Sequence, residues 1–519
     1  MTAHMPSFSL CDSRGHRHSF PSGRPGIVAF VKEDCPVCDL VMPLLDRLGS
    51  LTDIAVFIIG QEETGNRLLV ERHTLKTPLL DDSALKVSFA WGIETVPALF
   101  FTDDKGYEKS RLIGFSREEW QRFFDELGCD GVEWNSLPPW RPGCGSKSCD
   151  PVIADRLRAE AEHSPLRARR IDCAPADDEF EFMFDQGFTD GLPVVPPTPE
   201  RVLRMLVGTV RDSQEIVASV PPNFAPATVE KIAINAVMAG CRPAYLPVVI
   251  AALEAVCTDS FNAHGLMATT MGASPLVVVN GPIRERIGMN MKLGALGQGN
   301  RANACIGRAL RLILRNIGGA KPGGTERSTL GNPMKFTMCF AEWEERSNWM
   351  PLHVERGFAC SDSVVTVFPV TSGPQLIIDQ KSRRADQLAA SMALVMQGIF
   401  HPRLQVMDCV LVVCPEHVDT LNACGYSKED LRRRIQEVTE VPRWKRMPDE
   451  LTGEGIGSLP PAHSNEAERM RLIPKFVADE MIHIVVAGAE AGKFSGLFHG
   501  WVGGTIGSVP VSRKIEEVV

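Results

Sequence analysis

Apolar residues are grouped along this chain in short runs and in helical repeats, with polar turns between them. Residues 27–31 form an uninterrupted apolar run rich in β-branched side chains, which is typical of a buried strand. After a charged turn, apolar residues recur at the spacing of an amphipathic helix, at Leu40, Val41, Leu44, Leu45 and Leu48. The pattern therefore predicts a strand followed by a helix, and Cys35-Pro36-Val37-Cys38 stands at their junction.

The Cys-x-x-Cys at this junction predicts a redox-active dithiol. Cys35 would lie at the helix N-terminus, where unpaired N–H groups and the positive end of the helix dipole favour a thiolate. Cys38, one turn further on, would resolve a mixed disulfide formed by Cys35. Half of a zinc site is one alternative, but it usually needs a second Cys/His pair, and His73, the next His or Cys, has no paired ligand. Two unrelated structural cysteines are the other alternative.

A second apolar segment, residues 91–101, contains Val96-Pro97 followed by a predicted strand. It resembles the thioredoxin segment in which a proline after a β-branched residue is cis and faces the dithiol. Together with the Cys-x-x-Cys, this segment makes residues 8–127 similar to a thioredoxin-superfamily domain. The resemblance implies a thioredoxin-like fold of the α/β class for residues 1–128.

The resemblance also implies roles for three residues. Cys35 would be the attacking thiolate and Cys38 the resolving thiol, while Pro97 would shape a docking surface for an extended peptide. The sequence departs from the family at Asp34, which stands where a tryptophan is usual. Because an acidic neighbour disfavours a thiolate, Asp34 is expected to raise the pKa of Cys35.

Composition changes after residue 128. Residues 138–151 are rich in Pro, Gly and Ser, so residues 129–178 are interpreted as an extended linker with a short polar helix over 151–163. Cys144 and Cys149 in this linker would relay electrons between the dithiol and a second site. Two incidental linker cysteines, or a loose metal clip, are the alternatives.

Residues 179–519 predict a large mixed α/β or α+β domain that binds and converts a substrate, either as one body or as two lobes over about 179–332 and 333–519. Helical patterns and buried apolar runs alternate through it. Ser427 is expected to cap a helix with Asp430 at the capping-box position. The predicted helices cover 199–206, 226–240, 245–256, 304–316, 385–397 and 418–424, the predicted strands cover 274–282, 335–341, 363–370, 406–414 and 482–493, and a mobile loop is predicted over 441–465.

Polar residues in the turns of this domain are candidates for chemistry. His353 and Glu355 alternate on a predicted extended strand, which would give a catalytic base and its orienting carboxylate. The Gly- and Asn-rich stretch before the helix at 304 would form an anion cradle, although no nucleotide-binding spacing is present. The candidate substrate-binding residues are Asp190, Cys241, His264, Asn280, Arg301, Asn303, Lys493 and His499. Each lone histidine has a structural role as its alternative, and Cys241 is either exposed or a buried small hydrophobe.

Composition narrows the class of protein. A chain of 519 residues exceeds one core and favours two or three domains. The net charge of −9 and the lack of a long basic run argue against a nucleic-acid partner. No apolar stretch has the length of a membrane span, and no secretory signal is expected at the start of the sequence. Fifteen cysteines, an odd number without a compact framework, favour reduced thiols and a cytoplasmic location.

Three segments, residues 190–202, 227–248 and 301–322, resemble an uncharacterised domain found beside a selenoprotein-related module named for its U-G-S-C motif. Cys144-Gly145-Ser146 partly matches that motif, but Lys147 stands where its cysteine would be. The resemblance implies thiol or selenol redox chemistry and names no reaction.

These observations predict a thiol-dependent oxidoreductase whose thioredoxin-like module delivers reducing equivalents to a fused small-molecule catalytic domain. No metal and no cofactor are expected besides the redox-active Cys35–Cys38 disulfide. The expected partners are a small-molecule substrate and an external thiol reductant, and a homo-oligomer is compatible with the sequence. One alternative is a lyase or hydrolase acting through His353 and Glu355 or through Cys241, with the first domain as regulator. The other is a disulfide reductase for protein clients.

Overall fold

A computed structural model describes residues 3–171, 173–174, 177–406, 408–449, 452, 454–457, 465–501 and 508–517. It divides the chain into a first unit, Met1–Ile171, and a second unit, Asp172–Val519. The boundary falls inside the region expected to be a linker, residues 129–178. Most of that region therefore belongs to the first unit.

The first unit contains a five-stranded sheet of order β5-β4-β3-β7-β8. Its central strand β3 is the predicted apolar run, is buried along its whole length, and pairs in parallel with β4 and antiparallel with β7. In chain order the elements are β1 (Phe8–Cys11), β2 (Arg17–Phe20), β3 (Gly26–Val31), α1 (Pro36–Leu48), β4 (Ala55–Gly60), α2 (Glu63–His73), β5 (Leu79–Asp81), α3 (Lys86–Ala90), β6 (Thr95–Val96), β7 (Ala98–Thr102), β8 (Glu108–Ile113), β9 (Phe115–Ser116), α4 (Arg117–Glu126), β10 (Trp140–Arg141), β11 (Cys144–Gly145) and α5 (Pro151–Ala161).

This order, with α1 beginning directly after β3 and the Cys-x-x-Cys, is a thioredoxin-like fold. The core is strongly aromatic, since Trp91 contacts both Phe30 and Phe100 at ring-centroid distances of 5.5 and 5.4 Å. α1 buries the apolar face that the sequence predicted, including Val41, Leu44 and Leu45. The prediction for this part of the chain is confirmed.

The Pro-, Gly- and Ser-rich segment after α4 is not an extended connector. β10 pairs antiparallel with β9, and β11 pairs antiparallel with β6. Backbone pairing thus holds the segment against the first unit, which composition alone could not indicate. The polar helix expected at 151–163 is present as α5.

The second unit contains a mixed seven-stranded sheet of order β15-β14-β16-β21-β17-β20, with β22 also paired to β16. Its elements are α6 (Glu179–Asp185), α7 (Pro199–Leu206), β12 (Ile216–Val220), β13 (Ala225–Thr228), α8 (Val229–Met238), α9 (Leu246–Val256), α10 (Ala263–Ala268), β14 (Ser274–Asn280), α11 (Ile283–Arg286), α12 (Arg301–Asn316), β15 (Cys339–Ala341), α13 (Leu352–Glu355), β16 (Val364–Ile378), α14 (Ala385–Met396), β17 (Cys409–Val413), α15 (Pro415–Asn422), α16 (Lys428–Thr439), β18 (Val441–Pro442), α17 (Glu466–Met470), β19 (Leu472–Ile473), β20 (Ile482–Val486), β21 (Phe494–Gly500) and β22 (Val511–Lys514).

One sheet crosses the boundary expected between two lobes. β14, before residue 332, pairs with both β15 and β16, which follow it. β16 is long enough to pair with β14 in its first half and with β21 in its second half. The second unit is therefore an α/β body organised on a single sheet, and the capping box of Ser427 and Asp430 on α16 is present as predicted.

One local prediction for this unit needs correction. His353 and Glu355 lie in the single helical turn α13, not on a strand, so their side chains do not alternate on one face. Residues 494–500 form the largely buried strand β21, which pairs with β16 on one side and β17 on the other. Of the loop predicted over 441–465, residues 450, 451, 453 and 458–464 lie outside the described residues, and its start forms β18.

Among the described residues, no single helix combines the length and apolar composition of a membrane span. The pair Val229–Met238 and Pro243–Val256 meets the criterion only jointly, across a bend of 119°.

Candidate active site

The two cysteines of the motif meet at the start of α1. Cys35 is the N-cap residue, Pro36 occupies the first turn, and the N–H of Cys38 donates to the Cys35 sulfur at 3.4 Å. The sulfur of Cys38 in turn accepts the N–H of Lys32 at 3.4 Å. Both cysteines are fully buried as residues. The sequence placed these groups correctly because local turn geometry alone brings them together.

This geometry separates the acidities of the two thiols. The hydrogen bond from the Cys38 side chain, helped by backbone N–H groups and opposed by burial, lowers the pKa of Cys35 to about 5. Burial and the neighbouring Cys35 raise the pKa of Cys38 far above its ordinary value. At neutral pH the pair therefore consists of one thiolate and one thiol, which is the state that attacks a disulfide.

The expected effect of Asp34 is wrong. Its side chain is 60% exposed, and its carboxylate lies 3.3 Å from the ammonium of Lys32. Its charge still acts on the neighbouring Cys144, but the hydrogen bonds to the Cys35 sulfur lower the pKa of Cys35.

A third thiol joins the pair. The Cys35 sulfur lies 3.6 Å from the carbonyl oxygen of Val96, the residue before Pro97, and the Val96–Pro97 bond is cis. Cys144 of β11 stands directly opposite Val96 in the antiparallel register. Cys35 and burial together raise the pKa of Cys144 to about 11. The structure thus brings Cys35, Cys38 and Cys144 together.

Cys149 does not share this position. It is exposed, and its thiol lies 3.5 Å from the carbonyl of Ile93 instead of beside the dithiol. The two linker cysteines therefore differ, because Cys144 stands opposite Val96, whose carbonyl lies beside the Cys35 sulfur, and Cys149 does not. No group of three His, Cys, Asp or Glu side chains suited to a metal ion occurs among the residues that the structure describes.

The predicted base and carboxylate of the second unit are not a pair. His353 is fully buried, with neither ring nitrogen hydrogen-bonded and its nearest carboxylate, Glu344, 3.9 Å away. Glu355 is instead engaged by Lys428 at 2.6 Å and by Arg432 at 3.0 Å. The orienting role expected for Glu355 is therefore wrong, because two cations on α16 take its carboxylate.

Several predicted substrate-binding residues form ion pairs or hydrogen bonds with other groups of the protein. Asp190 forms a bidentate ion pair with Arg308 at 2.7 and 2.9 Å. Cys241 is buried and donates to the carbonyl of Cys305, and burial raises its pKa well above the ordinary value. Arg301 donates to the carbonyl of Gly240 at 2.8 Å. These contacts stabilise loops and do not form a cradle for an anion.

The remaining candidates are dispersed. The side-chain amide of Asn303 donates to the carbonyls of Asn290 and Ala295, and that of Asn280 donates to Glu342 and Glu344. His499 contacts Gln375 at 3.0 Å, and Lys493 lies between β20 and β21. His264 lines an open cavity of about 740 Å³ together with Phe224 and Arg513. The eight residues therefore do not converge on one site.

Sequence reasoning missed a second thiol cluster, formed by Cys414, His417 and Ser495. The Ser495 hydroxyl lies 2.7 Å from Nδ1 of His417 and 3.7 Å from the Cys414 sulfur, and it accepts the N–H of Cys414. The other ring nitrogen of His417 lies 3.1 Å from the carbonyl of Asp379. The missed signal was Cys414-Pro415 after a buried strand, the same junction as Cys35-Pro36.

This cluster favours a charged sulfur. Burial opposes ionisation, but the hydrogen bond and charge of His417 outweigh it and hold the pKa of Cys414 below its ordinary value. Burial likewise opposes the charge on His417, while Cys414 raises the pKa of that imidazole. A proton can pass from Cys414 through Ser495 to His417 with every donor still paired. In this arrangement a hydroxyl connects a thiol to a base, which is what the activation of a nucleophilic thiol requires.

No protein-family model and no curated protein sequence matches the chain. Solved structures of thiol-disulfide oxidoreductases are similar to its N-terminal quarter. The thioredoxin domain of one from Bacteroides vulgatus is 15% identical, with a TM-score of 0.22, and covers 25% of this chain and 99% of that chain. StoA from Bacillus subtilis is 20% identical, with a TM-score of 0.21, covering 22% and 96%. A secreted disulfide oxidoreductase from Mycobacterium tuberculosis is 18% identical, with a TM-score of 0.21, covering 23% and 96%.

Proposed function

We propose that this protein is a thiol-disulfide oxidoreductase in which Cys35 attacks and Cys38 resolves. The observation that carries this proposal is the Cys35 sulfur at the N-cap of α1, accepting the N–H of Cys38 beside a protonated partner thiol. A thiolate formed in this way at neutral pH is both nucleophilic and a good leaving group. No cofactor is needed for this chemistry besides the dithiol.

The reaction transfers two electrons from the Cys35–Cys38 dithiol to the disulfide of the substrate. The Cys35 thiolate attacks a disulfide of the substrate, a Cys35–substrate bond forms, and the displaced substrate sulfur leaves as a thiolate. Cys38 gives up its proton to that thiolate, attacks Cys35 and releases the second substrate sulfur. The Cys35–Cys38 disulfide remains, and an external thiol reductant restores the dithiol.

We also propose that the first unit delivers reducing equivalents to a small-molecule reaction in the second unit. Two observations support this: the units are fused in one chain, and the second unit carries its own thiol with a lowered pKa, Cys414. The similarity of three segments to the domain beside the U-G-S-C module agrees with thiol or selenol redox chemistry. A reducing compartment such as the cytoplasm fits fifteen free cysteines.

A second candidate function belongs to the second unit alone. The Cys414 relay stands where the parallel strands β17 and β20 end, the usual position of ligands in α/β folds. A cavity of about 200 Å³ next to it is lined by apolar and glycine residues, among them Leu376, Gly488 and Phe494. We propose nucleophilic attack by Cys414 on a small uncharged substrate, which replaces the acid–base reaction expected of His353 and Glu355.

The first proposal is tested by insulin reduction with dithiothreitol as reductant. Cys35→Ser in the full chain should lose on the order of 10³-fold or more of the rate, because the nucleophile is removed. Cys11→Ser, which removes an exposed cysteine of the same unit, is the matched control and should keep the rate. Equal rates in wild type and Cys35→Ser would refute the proposal.

Delivery to the second unit is tested separately. Oxidised glutathione would first convert Cys414 to its mixed disulfide, and mass spectrometry would follow the return of the free thiol after addition of dithiothreitol. Delivery requires this return to be severalfold slower in Cys35→Ser than in wild type. Identical recovery would leave the first unit as an independent reductase.

A further inference from the structure

The segment of residues 140–149, here called the strap, lies beside the dithiol. Its residues Cys144–Gly145 pair antiparallel with Thr95–Val96, and the N–H of Ser146 donates to the carbonyl of Glu94 at 2.9 Å. An extended polypeptide bound next to Cys35 would use the same backbone groups, as in strand addition to a sheet edge. The strap therefore occupies the place of an extended client.

The sequence of the strap is adapted to this close approach. A Cβ atom added to Gly143 would meet the Thr95 side chain and stand 2.7 Å from the carbonyl oxygen of Val96. Only glycine leaves room for the strap backbone at this point. The strap backbone at Gly143 is therefore closely packed against Thr95 and Val96.

Side-chain hydrogen bonds hold the strap in register. The buried amide of Gln61 donates to the Ser146 hydroxyl at 2.7 Å and accepts the N–H of Lys147 at 3.0 Å. The ammonium of Lys147 pairs with Glu62, and the Ser148 hydroxyl donates to the carbonyl of Ile93 at 3.0 Å. The side chains of Gln61, Ser146 and Ser148 are buried, so a client strand that takes this place must supply partners for their polar groups.

The strap also presents a sulfur to the attacking thiol. Cys144 stands opposite Val96, whose carbonyl is 3.6 Å from the Cys35 sulfur, so the strap places a thiol in the strand position next to the attacking sulfur. A client cysteine must reach the same position to form a mixed disulfide. Cys144 is partly exposed, whereas Cys38 is fully buried.

We propose that the strap is an internal competitor for the strand edge Thr95–Val96, and that Cys144 is a third exchange thiol that expels a client from Cys35. This inference rests on the proposed function, because it requires Cys35 to form a mixed disulfide. The covalent connection keeps the strap at a high effective concentration near the edge, so it returns whenever the client strand detaches.

The exchange balances without an additional oxidant. The Cys35 thiolate attacks the client disulfide, a Cys35–client bond forms, and one client sulfur leaves as a thiolate that takes the proton of Cys144. The Cys144 sulfur then attacks Cys35, the Cys35–Cys144 bond forms, and the second client sulfur leaves and takes a proton from water. The client gains two electrons, which Cys35 and Cys144 lose. Attack by Cys38 or by an external dithiol on Cys35 then releases Cys144.

The test uses the full chain with insulin as the disulfide probe. Without Cys144 chemistry, Cys38→Ser would trap Cys35 as an insulin adduct. We expect Cys38→Ser to accumulate at least about tenfold less of that adduct than Cys38→Ser/Cys144→Ser, and to yield a Cys35–Cys144 disulfide instead. Mass spectrometry of the Cys35 peptide measures both products.

Two further variants locate the effect. Cys38→Ser/Cys149→Ser removes another thiol of the strap, one that contacts the carbonyl of Ile93, and should behave like Cys38→Ser. Cys38→Ser/Gly143→Val keeps Cys144 but prevents the strap from lying on Thr95. Its adduct should rise towards that of the Cys144 double variant.

The outcomes separate this inference from the proposed function. Equal adduct in Cys38→Ser and Cys38→Ser/Cys144→Ser would overturn the role of Cys144 while leaving Cys35 as the attacking thiol. No adduct in Cys38→Ser/Cys144→Ser would refute the proposed function itself. Because serine is nearly isosteric with cysteine, these two variants decide the question even where Gly143→Val fails to fold.

Discussion

In each unit a helix begins at Cys-Pro after a buried strand, directly after the strand in the second unit and after the turn at residues 32–34 in the first. In the first unit β3 leads to Cys35 and α1, and in the second β17 leads to Cys414 and α15. Both cysteines are N-cap residues, both are buried, and both have a lowered pKa. At Cys35 the helix start supplies the N–H of Cys38 to the sulfur, whereas no N–H of α15 caps the Cys414 sulfur and the Ser495 hydroxyl donates to it.

The two turns differ at the third residue after the cysteine. That residue is Cys38 in the first unit and His417 in the second. A second thiol can close a disulfide and store two electrons, whereas an imidazole can only move a proton. In both turns the side chain at this position is the main cause of the lowered cysteine pKa, and its chemistry decides between electron exchange and nucleophilic chemistry.

The strongest way to break this comparison is to exchange the deciding residues. In a Cys144→Ser background, Cys38→His should reduce steady-state insulin reduction on the order of 10²-fold, because neither Cys38 nor Cys144 remains and only dithiothreitol from solution can resolve the mixed disulfide. Alkylation of Cys35 should persist, since an imidazolium also favours the thiolate. The matched reverse variant, His417→Cys, should give the second unit a disulfide that dithiothreitol reduces. Unchanged insulin turnover in the Cys38→His variant would contradict the division of roles.

The acidity of Cys35 gives the next effect. With a pKa of about 5, the thiolate is lost as pH falls through that value, so alkylation by iodoacetamide should fall about tenfold between about pH 6 and about pH 4. Above about pH 7 the rate should be flat. Because the folded pKa lies below the unfolded one, the same ionisation stabilises the reduced fold at high pH and ceases to do so below the folded pKa. A rate still rising through about pH 8 would show that Cys35 has an ordinary pKa.

Local features of the first unit are predictable from the sequence, and its non-local contacts are not. The strand, the turn and α1 are local, so the apolar pattern and Cys-Pro fixed both the fold of this region and the two principal thiols. The position of Cys144 depends on β11 pairing with β6, a contact about fifty residues away in the chain, and composition suggested only a linker. Pairing between strands far apart in the chain produces no periodic pattern of apolar residues in the sequence.

The second unit shows the same limit more strongly. The sequence predicts helices such as α12 and α14 because each buries one face. A position in a polar loop, by contrast, does not tell a binding residue from a structural one. Asp190 lies in such a loop, and its carboxylate is paired with Arg308, which is 118 residues further along the chain. Cys414, by contrast, looked like the end of an apolar strand, and its reactivity depends on Ser495 from a distant strand.

A smaller effect concerns the base of the second turn. His417→Asn removes the imidazole that outweighs burial, so the pKa of Cys414 should rise and its thiolate fraction at neutral pH should fall severalfold. Thiolate absorbance during a pH titration, in a Cys35→Ser background, measures it. His499→Asn removes another histidine of the same unit and should leave the titration unchanged, because His499 contacts Gln375. An unshifted Cys414 in His417→Asn would remove the basis for comparing the two turns.

The smallest effect separates packing from proton transfer in the second turn. Ser495→Ala leaves the N–H of Cys414 and Nδ1 of His417 without their shared partner in a buried site. An unsatisfied buried polar group costs about 1–3 kcal/mol. The free energy of unfolding of the second unit, measured in urea, should therefore fall by that amount. Ser9→Ala, which removes an exposed hydroxyl of the first unit, should change stability by less than about 0.5 kcal/mol. If Ser495→Ala lowers stability but leaves the pKa of Cys414 unchanged, His417 acts on the sulfur directly and the relay through Ser495 is refuted. If both change together, the hydroxyl connects acid and base, as no side chain does between Cys35 and Cys38.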